Sequence, residues 1–395
     1  KNLSPYYYII GAPGDWSFQN YLFEGTASKE LKKDRLFAGV NIKYYSFLTF
    51  RTVDYRNEQY NLNIEVTPSV TYKINKNNSL TFGALFSREK LEPEIYSKYQ
   101  QSNAGDDYQV YINTGLGSFI KNAPQTTTTI NKEYGVILGY RLDGGVNRVD
   151  VSALFSLNNE NMENKMTSSI SELGKELGKY ENINFESNIN YRRLLSNNRF
   201  VVANLGINYI MGDGSPYNNV SKVYTKNYTV DKFVANSRVD FYNSSSILSN
   251  LFVSALFDNQ KELDMHYGQQ IDFTNLKLGG GFMLNRDFGR VGAFTFSADG
   301  WYSTNLDFFH DPVAASQNFI TQKILYSKLS FLSADYMETN AKFVFTRALG
   351  VNYCVDIALY GGYAQALTIN YPDPYKFVSK GDNFKSLGVS VTFNF

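Results

Sequence analysis

Long stretches in which apolar and polar side chains strictly alternate recur from one end of this chain to the other, and they leave few folds open. The last stretch shows the pattern most plainly. In Ser386–Phe395 the apolar residues are Leu387, Val389, Val391, Phe393 and Phe395, with Gly388, Ser390, Thr392 and Asn394 between them. Successive side chains on a strand point to opposite faces, so one face here is wholly apolar and the other small and polar. The same reading holds for Leu62, Ile64, Val66, Val70 and Tyr72 against Asn63, Glu65, Thr67, Thr71 and Lys73. It holds again for Ile183, Phe185, Ile189 and Tyr191 against Asn184, Glu186, Asn188, Asn190 and Arg192. Soluble sheets also alternate, but a sandwich needs closely spaced turns and strands of about 5–6 residues. These strands run about 10 residues or more, the length a tilted strand needs to cross a bilayer.

Composition points the same way. The chain carries 31 Tyr and 30 Phe among 395 residues, and these alternate with Asn and Ser rather than joining Leu and Ile runs. No stretch approaches 18 consecutive apolar residues, so no transmembrane helix is expected. The chain starts at Lys1 in KNLSPYYYII, which is not a signal peptide; either one has been removed or the chain begins late. A net charge of +1 argues against nucleic acid as a partner. The single cysteine, Cys354, excludes a disulfide framework and a Cys-rich metal site.

Connections alternate in length. Tight links fall at Lys32–Arg35, Lys76–Asn78, Asp143–Asn147, Ser196–Asn198, Ser244–Ser246, Asp287–Arg290 and Ala348–Gly350. They are rich in Asn, Asp and Gly, which tolerate positive φ. Longer polar segments lie between them, clearest at Leu91–Ile130, Asn158–Glu181, Asn305–Ser333 and Thr368–Lys385. Short periplasmic turns and long extracellular loops define the expected fold class: all-β, an antiparallel transmembrane up-and-down β-barrel of about 14–16 strands. The expected organisation is one domain over residues 1–395, with 1–17 as a partial strand or loop. Counting between turns gives about 15 strands, whereas bacterial single-chain barrels close with an even number. Two explanations stand: a brief first strand in Lys1–Ile10, or native N-terminal strands absent from this chain.

The final aromatic residue, with Leu387, Val389, Val391 and Phe393 at every second position before it, resembles the C-terminal assembly signal read by the barrel-insertion machinery. Ser46–Ile74 (SFLTFRTVDYRNEQYNLNIEVTPSVTYKI), and PYYYIIGAPGDWSFQNYLFEGTASKEL before it, resemble an uncharacterised barrel family of Bacteroidota. Members of that family are usually longer at the N-terminus and are often encoded beside TonB-dependent receptors. The resemblance therefore implies a supporting role in uptake at the surface of a Gram-negative cell.

No motif nominates catalysis, and no catalytic residue, metal site or cofactor is expected. His310 in DFFHDP sits near Asp307 and Asp311, where an acid/base couple or metal site is conceivable. A solvated loop histidine is the more ordinary case. His266 in MHYG reads as a substitute for an interfacial aromatic. A phospholipase needs a Ser–His pair with Asn or Asp support, and no serine here has a local signature. A TonB-dependent transporter needs 22 strands around a plug, and 395 residues with no N-terminal globular segment are not expected to supply both; a plugged fatty-acid channel is not expected either, because Lys1–Trp16 is too short for an evident plug.

The polar faces are expected to point into a lumen, through Glu65, Lys73, Arg141, Asp150, Glu186, Arg192, Asp299, Lys342 and Asp356. Both signs are present, as in a mixed-charge pore or a lumen filled by ion pairs. Within Leu91–Ile130, the segment Tyr108–Ile120 either folds inward as a constriction or extends the wall. Ile170, Leu173 and Leu177 fall at helical spacing and suit a short amphipathic helix. Tyr217–Tyr228 and Tyr371–Phe384 suit partner binding, because Tyr offers large amphipathic contact area. The expected function is a non-enzymatic porin-like transport or uptake-accessory barrel of the outer membrane. The alternative is an anchored interaction subunit within a membrane protein complex; a hydrolase is the minor alternative. Expected partners are outer-membrane lipid and lipopolysaccharide, the assembly machinery during insertion, and a surface lipoprotein or TonB-dependent receptor.

Overall fold

Alternation along the chain becomes a meander of long strands in the computed structural model. It describes residues 3–10, 16–51, 56–96, 110–116, 119–121, 126–165, 176–218, 221–244, 247–266, 268–311, 325–348, 353–371 and 379–394. In chain order the strands begin with β1 (Tyr7–Ile10), β2 (Trp16–Lys32), β3 (Leu36–Arg51), β4 (Arg56–Lys73) and β5 (Asn78–Tyr96). Two short ones follow, β6 (Val110–Asn113) and β7 (Phe119–Lys121). Then come β8 (Thr127–Asp143), β9 (Asn147–Asn164), β10 (Glu176–Ser196), β11 (Arg199–Asn218), β12 (Val223–Tyr224) and β13 (Tyr228–Asn243). The last are β14 (Leu248–Asp264), β15 (Gln269–Asp287), β16 (Ala293–Asp311), β17 (Ala334–Ala348), β18 (Cys354–Ile369) and β19 (Asn383–Asn394).

Fifteen of these strands form the wall, each antiparallel to the next from β2 to β19; off this path, β12 pairs with β11. The fold is the expected one: all-β, an antiparallel up-and-down barrel of the transmembrane kind. Tight links close one end of the wall. Asp34 adopts φ 58° and Gly145 φ 78°, the left-handed region those turns require. The Asn75 side chain accepts hydrogen bonds from the backbone N–H groups of Asn77 and Asn78, both at 2.8 Å, and so holds the β4–β5 turn.

Register makes the two faces continuous. Ser152 stands opposite Gly139 and Asn188, and Asn188 opposite Gly206. One step along, Ala153 stands opposite Leu138 and Ser187, and Val151 opposite Tyr140 and Ile189. Large apolar residues on the second face stay open to the surroundings: Ile64 is 43% exposed, Phe185 41% and Leu359 48%. An apolar belt of that extent is not left facing water; it is the lipid-facing surface of a membrane barrel.

The strand sought in Lys1–Ile10 is not part of the wall. β1 pairs with β6, Tyr7 opposite Asn113, and β6 pairs with β7 in a separate three-stranded sheet. The short N-terminal stretch thus supplies part of an inner assembly, which its length argued against. That small sheet covers the polar face of the wall near its long-loop end. Tyr6, Ile112 and Leu116 pack there with Tyr180, Tyr228 and Phe273, all buried. Fully burying each such apolar side chain stabilises the docking by about 1.5–3 kcal/mol. Gly178 on β10 permits the fit: a Cβ there would stand 2.5 Å from the Tyr6 ring.

Candidate functional site

Cations and carboxylates on the polar face meet one another, some across neighbouring strands, some two residues apart on one strand, and Lys277 with Glu338 across the intervening β16. Lys43 on β3 reaches Glu65 on β4 at 3.4 Å and Glu24 on β2 at 4.0 Å. Arg141 on β8 and Arg148 on β9 both bond Asp150, the latter at 2.8 Å. Lys232 reaches Asp258 at 2.9 Å, Arg238 reaches Asp240 at 2.7 Å, and Lys277 bonds Glu338. Pairing of this kind satisfies charges that would otherwise be costly on a partly desolvated surface.

Of the nine charged residues expected to face inward, Arg141 and Asp150 are brought into contact with each other. Glu65 takes Lys43 instead, and Glu186 accepts from Asn184 at 3.1 Å and Asn208 at 3.0 Å. Lys73 lies 4.6 Å from the Phe37 ring centre and Arg192 4.4 Å from that of Phe200. Asp299 accepts from Asn340 at 3.0 Å and from the Trp301 indole. Lys342 stands opposite Ser297 and Tyr360, and Asp356 opposite Thr346 and Thr392. Of the assembly-signal residues, Leu387, Val389, Val391 and Phe393 stand opposite Gly361, Leu359, Ile357 and Val355; Phe395 lies outside the described residues.

Sequence reasoning missed the pairs at Arg238–Asp240 and Lys277–Glu338. Alternation through VANSRVDFY would have found the first. Nothing local joins Lys277 to Glu338, 61 residues away.

A second group of contacts sews the long β16–β17 connection onto the wall. Its described part carries one helix, α1 (Ser327–Leu332), whose Leu329 is fully buried in the inner cluster. Lys328 Nζ donates to both carboxylate oxygens of Glu262 on β14, at 2.8 and 3.1 Å. Glu262 also accepts from Tyr228 and from Gln260. Ser333 Oγ accepts from the Tyr371 backbone, and Asn370 donates to Ser333 O at 2.9 Å. Replacing Lys328 with Met removes charge-assisted bonds worth about 1.5–3 kcal/mol, towards the lower end because Lys328 is 38% exposed. Amides of Ser327–Ser333 should then exchange with deuterium on the order of tenfold faster. Unchanged exchange would show that α1 does not depend on the Lys328–Glu262 contact.

His310 is not a solvated loop residue. It lies on β16 opposite Ile271, its Nδ1 sharing a 3.1 Å hydrogen bond with the Tyr371 hydroxyl. Burial pushes that hydroxyl, which lies beyond the end of β18, up to about 12, so it stays protonated. Among the described residues the His310 Nε2 is buried without a hydrogen-bond partner. Asp307 and Asp311 stand opposite Thr274 and Gln270, on the other face of the strand from His310, so the acid/base couple is not assembled. Tyr371 packs against Phe308 and Tyr326 rather than standing free for a partner. Leu177 is part of β10, buried at a bulge rather than on a helix; Ile170 and Leu173 lie outside the described residues. His266 sits in the turn after β14, its N–H donating to Asn227 and Asp264. Among the described residues no three His, Cys, Asp or Glu side chains gather as a metal site.

A family model described as "Family of unknown function (DUF6850)" matches residues 1–395. No curated protein sequence matches the chain. Among solved structures, the outer membrane transporter YddB from Escherichia coli is similar at 8% identity and a TM-score of 0.40. That alignment covers 88% of this chain and 55% of the transporter. The ferripyoverdine receptor of the Pseudomonas aeruginosa outer membrane is similar at 8% identity and a TM-score of 0.46, over 96% of this chain and 59% of the receptor. The siderophore receptor PiuA from Acinetobacter baumannii is similar at 8% identity and 0.40, over 92% and 76%. The chain thus spans little more than half the length of the first two. Likenesses this distant carry no functional weight.

Proposed function

Since the chain belongs to the DUF6850 family, whose function is unknown, we propose from its own geometry that it is an outer-membrane barrel serving uptake. In this reading the polar face lines a water-filled lumen, and the inner sheet with α1 closes its long-loop mouth until it is displaced. The observation that carries the proposal is the contrast between faces: an exposed apolar belt outside, and cross-strand ion pairs and amides inside. No catalytic role is included. Lipid and lipopolysaccharide would surround the belt, and the assembly machinery would act on Leu387–Phe395 during insertion.

The test is conduction in planar bilayers, using protein whose mouth has been opened by excising the inner sheet. Charges at a narrow aqueous passage set ion preference, so reversing Asp150, Asp299 and Asp356 to Lys together should move the reversal potential towards that of an anion-selective pore. Lys32→Glu with Lys33→Glu, at an exposed turn, should move it less because solvent screens those charges. Equal effects from the two sets would remove the inner face from the conduction path.

A second reading, an anchored interaction subunit, is favoured by the hairpin extension beyond β11. There Val223 is 50% exposed, and Tyr224 packs edge-on against Tyr217 with ring centres 5.0 Å apart. A surface lipoprotein or TonB-dependent receptor would be the partner. Purification from native membranes in mild detergent tests this, a stoichiometric companion being the result that favours it.

A further inference from the structure

A cavity of about 400 Å³ opens on the polar face where β4, β5, β8, β9, β10, β11 and β13 lie side by side. It sits in the short-turn half of the wall: Arg141 and Asp150 flank the link between β8 and β9. The inner sheet, by contrast, packs at the long-loop end. Its lining is dominated by Thr81, Ser152, Asn188, Asn190, Asn204 and Asn236. Asn190 donates to Asn204, and Thr81 shares a 2.9 Å hydrogen bond with Thr71. Gly206 lies among the amides; a Cβ there would stand 3.0 Å from Asn188 Oδ1 and closer still to Asn236, so the glycine keeps the floor open.

The chemistry of this lining is unusually even. Each amide both donates and accepts, and each hydroxyl does the same. The charges in the lining, Arg141 and Asp150, are bonded to each other, and Arg148, outside the lining, bonds Asp150 as well. A cation entering here would lose hydration without meeting an uncompensated carboxylate, and the amides and hydroxyls that make up most of the lining offer an anion no charge of their own. A neutral molecule dense with hydroxyls would meet matched donors and acceptors throughout. We propose that this cavity is a weak binding site for small neutral saccharides, which need both bond directions and no counter-charge. The proposal rests on the polar face being a solvent-filled lumen. The size falls within the range of small-molecule sites, but the lining lacks the apolar surface that makes such sites tight. Weak binding suits passage, which requires that a solute leave as readily as it enters.

The experiment is saturation-transfer NMR on the full chain in amine-oxide detergent micelles, which avoids sugar-headed detergent. Maltotriose is the probe and glutamate the charged control. Transfer to maltotriose and little to glutamate is expected. The double variant Asn188→Leu/Asn204→Leu should reduce the maltotriose signal at least about fivefold, consistent with loss of several hydrogen bonds. Thr81→Val, which keeps the side-chain shape, should reduce it about twofold and guards against a folding defect in the double variant. No transfer to wild-type protein, equal transfer to glutamate, or an undiminished signal in the variants would overturn the proposal. Failure here is separable from failure of the lumen: current without maltotriose transfer sinks the saccharide site alone, and transfer without current in the opened barrel sinks passage alone.

Discussion

Excising residues 97–126, with a short glycine–serine linker joining Tyr96 to Thr127, should raise single-channel conductance on the order of tenfold or more over the intact chain. The excised stretch holds β6 and β7, so it removes Ile112 and Leu116 from the inner cluster and leaves β1 without a pairing partner. The wall should survive, because β5 and β8 remain paired from Asn78–Leu142 to Leu91–Thr129. Combining the excision with Lys328→Met should add further current by freeing α1 from Glu262. The check is stepwise conductance in planar bilayers for intact, excised and combined proteins. Intact protein that already conducts as well as the excised form would show that the inner sheet does not close the path.

Phe185→Arg should block assembly into a bilayer, while Asn184→Arg, one residue away, should be tolerated. Phe185 lies near the middle of β10 on the exposed apolar face, opposite Phe155 and Tyr209. Arginine near the midplane of a barrel's lipid face costs about 2–4 kcal/mol, a large part of the stability of an ordinary domain. Asn184 is on the polar face, where it donates to Glu186 and accepts from Asn208. An arginine there gains a carboxylate neighbour rather than losing water. Heat-modifiable migration on gels and protease resistance in intact cells report the folded fraction. Equal folded fractions for the two variants would mean that the apolar face of β10 does not meet lipid.

The contrast between those neighbouring substitutions is legible without coordinates. Period-two alternation is a local property, decided by the geometry of a single strand, so the two faces of β4, β9, β10, β11 and β19 were readable from their residues alone. Turn chemistry was readable for the same reason: the conformation at Asp34 or Gly145 depends on a few adjacent residues.

What the sequence left open depends on pairs far apart in the chain. Tyr7–Ile10 reads equally well as a wall strand; it leaves the wall because its partner is Val110–Asn113, a choice made by the space inside the barrel. His310 reads as a loop residue because β16 continues past the point where alternation is clean, after the register shift at Thr274/Asn275 on β15. Leu177 reads as helical because a bulge breaks its period. Lys328 and Glu262 lie 66 residues apart, and only docking of α1 onto the cluster brings them within hydrogen-bond distance. The sequence by itself determined a two-faced membrane wall, since one strand's geometry suffices to sort side chains by face. Which segments fill that wall was decided by tertiary structure, because inner packing depends on which surfaces meet once the wall has curved around them.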